Sequence, residues 1–467
     1  MASTSESTGH RARRSDRLLA LLLLVSVAAV LGTAWLFNHA HAGSSLFLLS
    51  NLIGPATQSL LHGQDLAVCT EAMGTPSNPI CFHAARMPLP SLVIALGVKL
   101  FGNRYLPVAL FKAILLLLPL EAAIYLAWRR MHRTPRGKFF IALLLLAPFT
   151  IDAFLANTVN LQVEEAYAYS VLALAAAILF FALDRAPTRP ATGSVGLAIL
   201  FALSLDALYL SKSSLILAAA VLLIGYLLME RRSSLRLLVL ALVAIAPIGW
   251  ATYQHHASDR YTIGTSLDGI NLHKGNNPAF LDHYPPPPGN TLDRFDSTLN
   301  SGHTFTNEWA FNDYNQTAAL TYLRTHPVRT VEGDLRKLNV LLFSLRKIGS
   351  TRDQGARLLF DLYGLLLFRL ILWSAIISAL AAAFLRPATD DPQLRTIGGI
   401  FLALTIACIA PYVAGFAYTR HASILIYPAT LLCCRMIARN RRAQQTSQSP
   451  DALADADQTL FNHQRTA

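Results

Sequence analysis

Ten stretches of almost unbroken apolar residues recur along the chain, at positions 18–37, 105–128, 139–156, 165–183, 193–210, 214–229, 235–251, 358–385, 397–417 and 422–436. A helix rises about 1.5 Å per residue, so crossing a hydrocarbon layer of roughly 30 Å takes about 20 residues. The runs bracket that length, and the pattern predicts ten transmembrane helices. A cleaved signal peptide competes for the first run, because Arg11, Arg13, Arg14 and Arg17 precede it and Ala40-His41-Ala42 follows it. Its length and the further spans behind it favour an uncleaved helix.

Two polar segments between the runs, 38–104 and 252–357, are too long for hairpin connections, and ordered loops of that length are usually functional. Within the first, 46–62 reads as an amphipathic helix on the membrane surface. Residues 88–102 are apolar but short, and counting them as a span would move the basic cluster at 129–138 outside. An interfacial or re-entrant helix is predicted there instead. The second segment opens with turn chemistry and includes Pro285 to Pro288, read as a stiff spacer. It becomes helical over 308–324 and closes on apolar 335–345, flanked by Arg336, Lys337, Arg346 and Lys347. That pattern predicts a helix lying in the interface with its cations reaching headgroups.

Charge sets the orientation. The sequence holds 39 Lys+Arg against 27 Asp+Glu. With the N-terminus inside, 21 of the basic residues fall in cytoplasmic segments and 16 outside, 11 of the latter in one long loop, where the positive-inside bias is weak. The predicted organisation is a cytoplasmic tail 1–17, a membrane module 18–251 containing the first external loop 38–104, a large external loop 252–357, C-terminal helices 358–436 and a cytoplasmic tail 437–467. Composition agrees, since 53% hydrophobic and 14% charged residues cannot clothe soluble domains of this size. Basic and aromatic residues do not interleave on a soluble face, which removes nucleic acid as a partner. The fold class is an all-α polytopic membrane protein. Cys69 and Cys81 share the first external loop and enclose a turn-rich stretch, so an oxidising compartment lets them pair.

Local motifs add a family. An apolar helix ends in Pro247-Ile248-Gly249-Trp250; Ser266-Leu267-Asp268-Gly269-Ile270-Asn271-Leu272 and Gly275-Asn276-Asn277-Pro278 follow. Arg86-Met87-Pro88-Leu89-Pro90 with Phe101-Gly102 closes the first loop, and Ser211-Lys212-Ser213 forms an external turn. Glu308, Asp313, Ala318-Ala319, Tyr322 and His326-Pro327 precede a Lys337 to Phe343 element. Together these resemble the bacterial integral-membrane glycosyltransferases of the GT-C superfamily, of the family 39 or dolichyl-phosphate-mannose mannosyltransferase-like kind. The resemblance implies about ten transmembrane helices, interfacial helices and two large external loops in the bacterial inner membrane. It further implies transfer of a sugar from a polyprenyl-phosphate donor to an envelope glycan or lipid acceptor outside the cytoplasm. One departure stands out: family members carry an Asp about fifteen residues before the Gly that ends the first surface helix, and counting back from Gly63 reaches Leu48, with no acid beside it.

Such chemistry needs cations for the phosphate leaving group and a carboxylate to take the acceptor proton. Lys112 and Arg369 lie inside apolar runs, where a charge is expensive unless paired or functional, although snorkelling to headgroups explains either equally well. Arg86, Lys212 and Arg420 occupy external turns, and these five are the candidate phosphate ligands. Glu164, Glu165 and Asp65 are the candidate bases, with Glu71 and Asp152 behind them; a helix N-terminus that favours acids accounts for Glu164 and Glu165 as readily. Asn271, Asn276, Asn277 and Glu308 are candidates for binding the acceptor or tying the loop to the membrane core. The external histidines lack metal-ligand spacing, so no metal or other cofactor is indicated. An O-antigen ligase or polymerase, a glycolipid flippase or transporter, and a non-catalytic relative are the competing functions.

Overall fold

The computed structural model describes residues 53–75, 78–130, 163–182, 194–285, 302–345, 356–384 and 392–447, with 17, 19–21, 23–32, 35, 142, 145, 161, 299 and 300 besides. The expected span 139–156, Asp152, the Leu48 neighbourhood and most of the basic cluster at 129–138 lie outside the described residues. Helix α1 covers Leu19–Gly32. The first loop contributes α2 (Ile53–Leu61), strands β1 (Val68–Thr75) and β2 (Asn78–Phe82), and α3 (Pro88–Phe101). Then come α4 (Tyr105–Arg130), α5 (Glu165–Ala177), α6 (Ser194–Ser211), α7 (Ile216–Met229), α8 (Ser233–Val243) and α9 (Ile245–Ser258). The second loop holds α10 (Asp268–Gly275), α11 (Phe280–His283), α12 (Glu308–Thr325) and α13 (Pro327–Leu342). The chain ends with α14 (Ala356–Phe384), α15 (Pro392–Ala414), α16 (Thr419–Ser423) and α17 (Ile426–Ser447).

Among the described residues four helical stretches are long and apolar enough to cross a membrane: Tyr105–Arg129, Ser233–Ser258, Leu362–Phe384 and Gln393–Ala414. Their neighbours show how the bundle meets its surroundings. On α6, Val195, Ile199 and Leu203 point outward one helical turn apart, and on α14 Leu362, Leu366 and Leu370 do the same, with Ile377 two turns further on. Continuous outward apolar stripes of this kind are solvated by lipid rather than water. In contrast α5, rich in alanine and apolar on every side, is buried along its length except for the half-buried Val171, packed against α4, α6 and α17. A helix hydrophobic all round belongs in the centre, and its small side chains let the neighbours approach closely. The predicted run 165–183 changes character at its C-terminal end, where the α-helix gives way to a π-helical turn over Ile178–Ala182.

Three expectations are corrected. The fold is not purely α: β1 and β2 form an antiparallel hairpin with Cys69 opposite Cys81, and the two sulfurs are bonded. Alternation at Ile80 and Phe82, both buried against Ile270 and Phe311, drives that strand. The helix expected to stop at 251 continues to Ser258, where Asp259 takes a left-handed cap conformation at φ 55°. The interfacial helix expected from 335 begins at Pro327, whose fixed φ suits the first helical position. Its outward Val328, Val331 and Leu335 share one face. Helix α3, with its 14 residues, is about 21 Å long and too short to span. It turns Leu92, Leu96 and Leu100 outward and buries Ile94, Ala95 and Gly97.

Candidate functional site

Four of the five candidate cations converge on residues 163–165, at the start of α5. Arg86 Nε lies 3.3 Å from Glu164 Oε1. Lys212 Nζ, from the turn after α6, lies 2.5 Å from Glu165 Oε1. Arg420 Nε reaches the same oxygen at 3.6 Å from α16, and the α4 residue Lys112 donates to the Val163 carbonyl at 3.4 Å. Each comes from a different element, and headgroup snorkelling would scatter them around the perimeter. Even without Lys112, the three cations on Glu164 and Glu165 outnumber the two carboxylates, leaving a positive surplus at one end of the bundle. That end also carries the large loops, since Ser213 beside Lys212 donates to Asp268 at 3.0 Å.

Aromatic faces complete the cluster. Lys212 sits over the Tyr412 ring at 5.4 Å, Arg420 over Tyr418 at 4.5 Å and Lys112 over Tyr167 at 4.8 Å. His421, 3% exposed, stacks on Tyr412 at 4.0 Å, and its Nε2 lies 3.4 Å from Glu165 Oε1. Its Nδ1 accepts the Tyr418 amide at 3.2 Å, so the proton belongs on Nε2, which donates to the carboxylate. His421 was missed from the sequence, although its position next to Arg420 in a short external turn was visible there.

Burial works against the Lys212 charge, but Glu165, then Tyr412 and Glu164, outweigh it and hold the amine above the ordinary lysine range. Burial pushes the His421 imidazole down to about 3, with Glu165 only partly opposing it. The unfolded imidazole titrates near 6.5. The unfolded chain therefore takes up this proton first, and the stability of the neutral buried ring is lost as pH falls from about 6.5 toward 3. The expected slope is about 1.4 kcal/mol per pH unit. His421→Gln, measured by thermal unfolding in detergent at several pH values, should flatten that acid limb; an unchanged limb refutes the assignment.

Arg369 does not join the cluster. Its guanidinium donates to the Val340 carbonyl at 3.1 Å, to Leu341 and to Ser344, and Trp373 donates to Leu342 at 3.2 Å. Both side chains satisfy the free carbonyls at the C-terminus of α13, which positions that helix on α14.

The remaining candidates build the loops. Glu308, 2% exposed at the start of α12, accepts the His83 and Ala84 amides at 3.1 Å each and so joins the two long inter-helix segments. Asn276 donates to Leu272 at 2.8 Å and to Ala414 at 2.6 Å, and Asn277 donates to His273 at 2.9 Å. Asn276 thus fastens the end of α10 to the end of α15, while Asn277 closes the local turn after α10. A Cβ on Gly275 would stand 1.6 Å from the Gly415 carbonyl, so only glycine permits the contact. Lys337, fully buried, donates to that carbonyl at 3.0 Å and pairs with Asp334 at 2.8 Å. Asn271 is half-buried, and its backbone carbonyl lies against Gly415. Asp65 lies 2.8 Å from His83 Nδ1. Among the described residues no three His, Cys, Asp or Glu side chains gather as a metal site would require.

No protein-family model matches the sequence, and no curated protein matches it. Solved structures that are similar include ArnT from Cupriavidus metallidurans in the apo state, at 13% identity and a TM-score of 0.36 over 93% of this chain and 78% of that one. The same protein bound to undecaprenyl phosphate gives 12% and 0.37, over 90% of this chain and 77% of that one. The archaeal oligosaccharyltransferase AglB from Archaeoglobus fulgidus, in complex with an inhibitory peptide and a dolichol-phosphate, gives 12% and 0.42, over 95% of this chain and 52% of that one. ArnT, of family 83, and AglB are both GT-C superfamily membrane glycosyltransferases. Family 39 is not represented among them.

Proposed function

We propose that the chain is an inner-membrane glycosyltransferase of GT-C type that moves a sugar from a polyprenyl-phosphate donor to an envelope glycan or lipid acceptor on the external face. About ten spans, cytoplasmic termini and external loops at 38–104 and 252–357 complete this reading. The observation that carries it is the convergence of Arg86, Lys112, Lys212 and Arg420 on residues 163–165, under the loops and beside apolar helix faces. A phosphate leaving group gains negative charge as its bond to the anomeric carbon breaks, and prearranged cations stabilise that charge most where water is scarce. Arg86 and Arg420 offer planar forks to the phosphate oxygens, and Lys212 a point charge. Glu164 and Glu165, both committed to these cations, hold them in place between turnovers. Membrane lipid fits along the outward apolar stripes.

Two measurements test the reading. Mass spectrometry of envelope glycans and lipids from cells with and without the protein should show loss of one glycosyl unit. Accumulation of a complete lipid-linked precursor would instead point to a ligase or flippase. Purified protein should bind undecaprenyl phosphate, and Arg420→Gln should weaken that binding about 10- to 100-fold, the range of a lost charge-assisted hydrogen bond. Arg369→Gln, which alters the α13 terminus, should leave binding by the folded protein unchanged. Equal affinities for wild type and Arg420→Gln would remove Arg420 from the site.

A further inference from the structure

The base that the transfer requires has no free carboxylate in the cation cluster, because Glu164 and Glu165 are both taken up by cations. A second acid-containing group stands nearby. His83 Nδ1 lies 2.8 Å from Asp65 Oδ2, and the two side chains are 23% and 38% exposed. An ionised carboxylate only accepts, so the Nδ1 proton points at Asp65 and the lone pair stays on Nε2. Among the described residues Nε2 has no protein partner.

The backbone around this ring is held independently of it. The His83 amide donates to Glu308 and its carbonyl accepts from Gln254 at 3.4 Å; the Ala84 amide donates to Glu308 and its carbonyl accepts from Ser266 at 2.9 Å. Cys81, two residues earlier, is tied to Cys69. Asp65 is placed by its neighbour Leu66, whose amide donates to the Tyr253 hydroxyl at 3.0 Å. The segment would therefore keep its course without the imidazole. Three residues on is Arg86, so the His83 and Arg86 Cα atoms are at most about 11 Å apart along the chain, and Arg86 contacts Glu164 in the cation cluster. The groups in contact with His83 are Asp65 from the α2–β1 connection, Glu308 from α12 and Gln254 from α9.

We propose that His83 is the catalytic base that receives the acceptor proton, with Asp65 as its positioning residue. This rests on the transferase reading above and assigns the residue that completes it. The acceptor hydroxyl oxygen forms a bond to the anomeric carbon of the polyprenyl-phosphate sugar. The bond from that carbon to the phosphate oxygen breaks, and its electron pair leaves with the polyprenyl phosphate, held by Arg86, Lys212 and Arg420. The hydroxyl proton passes to His83 Nε2, Asp65 stabilises the resulting imidazolium, and the proton is then released to water. A base held by a carboxylate and open at its other nitrogen is the arrangement this step needs, and it supplies the acid group that the motif lacks near Leu48.

The test uses the full-length protein in cells lacking the chromosomal copy, with His83→Ala, His83→Gln and Asp65→Asn each compared with wild type. Envelope glycan mass spectrometry reads transfer, and undecaprenyl phosphate binding by the purified proteins reads the cation site. His83→Ala and His83→Gln should lower transfer at least about 100-fold, the usual contribution of a general base. Binding should stay within twofold of wild type. Imidazole added outside the cells should restore transfer to His83→Ala and not to Arg420→Gln. Wild-type transfer by either His83 variant would overturn the proposal. Loss of transfer with binding intact but no restoration by imidazole would overturn it as well, leaving His83 a scaffold residue. If a His83 variant fails to accumulate, Asp65→Asn decides: a fall in transfer with normal binding supports the dyad, and full transfer overturns it. If wild-type protein neither binds undecaprenyl phosphate nor changes any envelope glycan, the transferase reading itself has failed.

Discussion

Glu165→Gln is expected to destabilise the protein by about 3–5 kcal/mol, the cost of removing one partner from a buried ion pair. The carboxylate is 3% exposed, and a single oxygen serves Lys212 at 2.5 Å, His421 at 3.4 Å and Arg420 at 3.6 Å. An amide keeps the shape and one acceptor, yet leaves a positive surplus unbalanced in a site with little water. Since whole domains are stable by only about 5–15 kcal/mol, the loss is large. Added undecaprenyl phosphate should restore more stability to this variant than to wild type, because the anion takes over the missing charge. Thermal unfolding in detergent with and without the lipid phosphate measures both effects. Glu164→Gln, whose partner Arg86 has a 38% exposed side chain, should lose less. A Glu165→Gln protein that melts and binds like wild type would show that the carboxylate is not the organiser of the cluster.

Glu308→Ala is expected to cost about 2–4 kcal/mol, because one buried and one partly buried amide lose their acceptor at once. These are the His83 and Ala84 amides, each 3.1 Å from a different carboxylate oxygen. The same substitution cuts the tie between the two long inter-helix segments, so His83 should lose its placement and transfer should fall with stability. Glu308→Gln keeps one acceptor oxygen and should lose roughly half as much stability. Unfolding temperatures of the three proteins, with transfer measured on the same membranes, separate the two consequences. Glu308→Ala with a wild-type melting temperature would mean that the amides find water and that the loop junction rests on packing alone.

Several features were decided locally and were legible in the sequence. Apolar runs at 105–128, 358–385 and 397–417 correspond to helices long enough to cross a membrane, because lipid requires every backbone group to bond within its own helix. Pro88 and Gly102 bracket α3, and Pro327 opens α13, through backbone constraints that act within one residue. The Cys69–Cys81 bond could be expected from two cysteines enclosing a turn-rich stretch, but the hairpin that places them opposite one another was not. The roles of the charged residues needed the tertiary structure. Lys112 and Arg369 are both lone cations within apolar runs and look alike in sequence. Packing sends the first to the cluster at 163–165 and the second to the end of α13, 28 residues away along the chain at Leu341. Glu164 and Glu165 fit catalysis and a helix N-terminus equally well until Arg86, Lys212 and Arg420 arrive from three other elements. Asn276 and Asn277 were candidates for binding the acceptor or tying the loop down, and packing takes Asn276 to Ala414, 138 residues on. His83 carried no spacing signal at all, since its partner Asp65 is 18 residues away and the register of one hairpin brings them together. Hydropathy and backbone preference are properties of a residue and its nearest neighbours, so sequence determines them. The partner of a charge is chosen by whichever distant group packing brings within hydrogen-bond reach, and only the folded chain decides that.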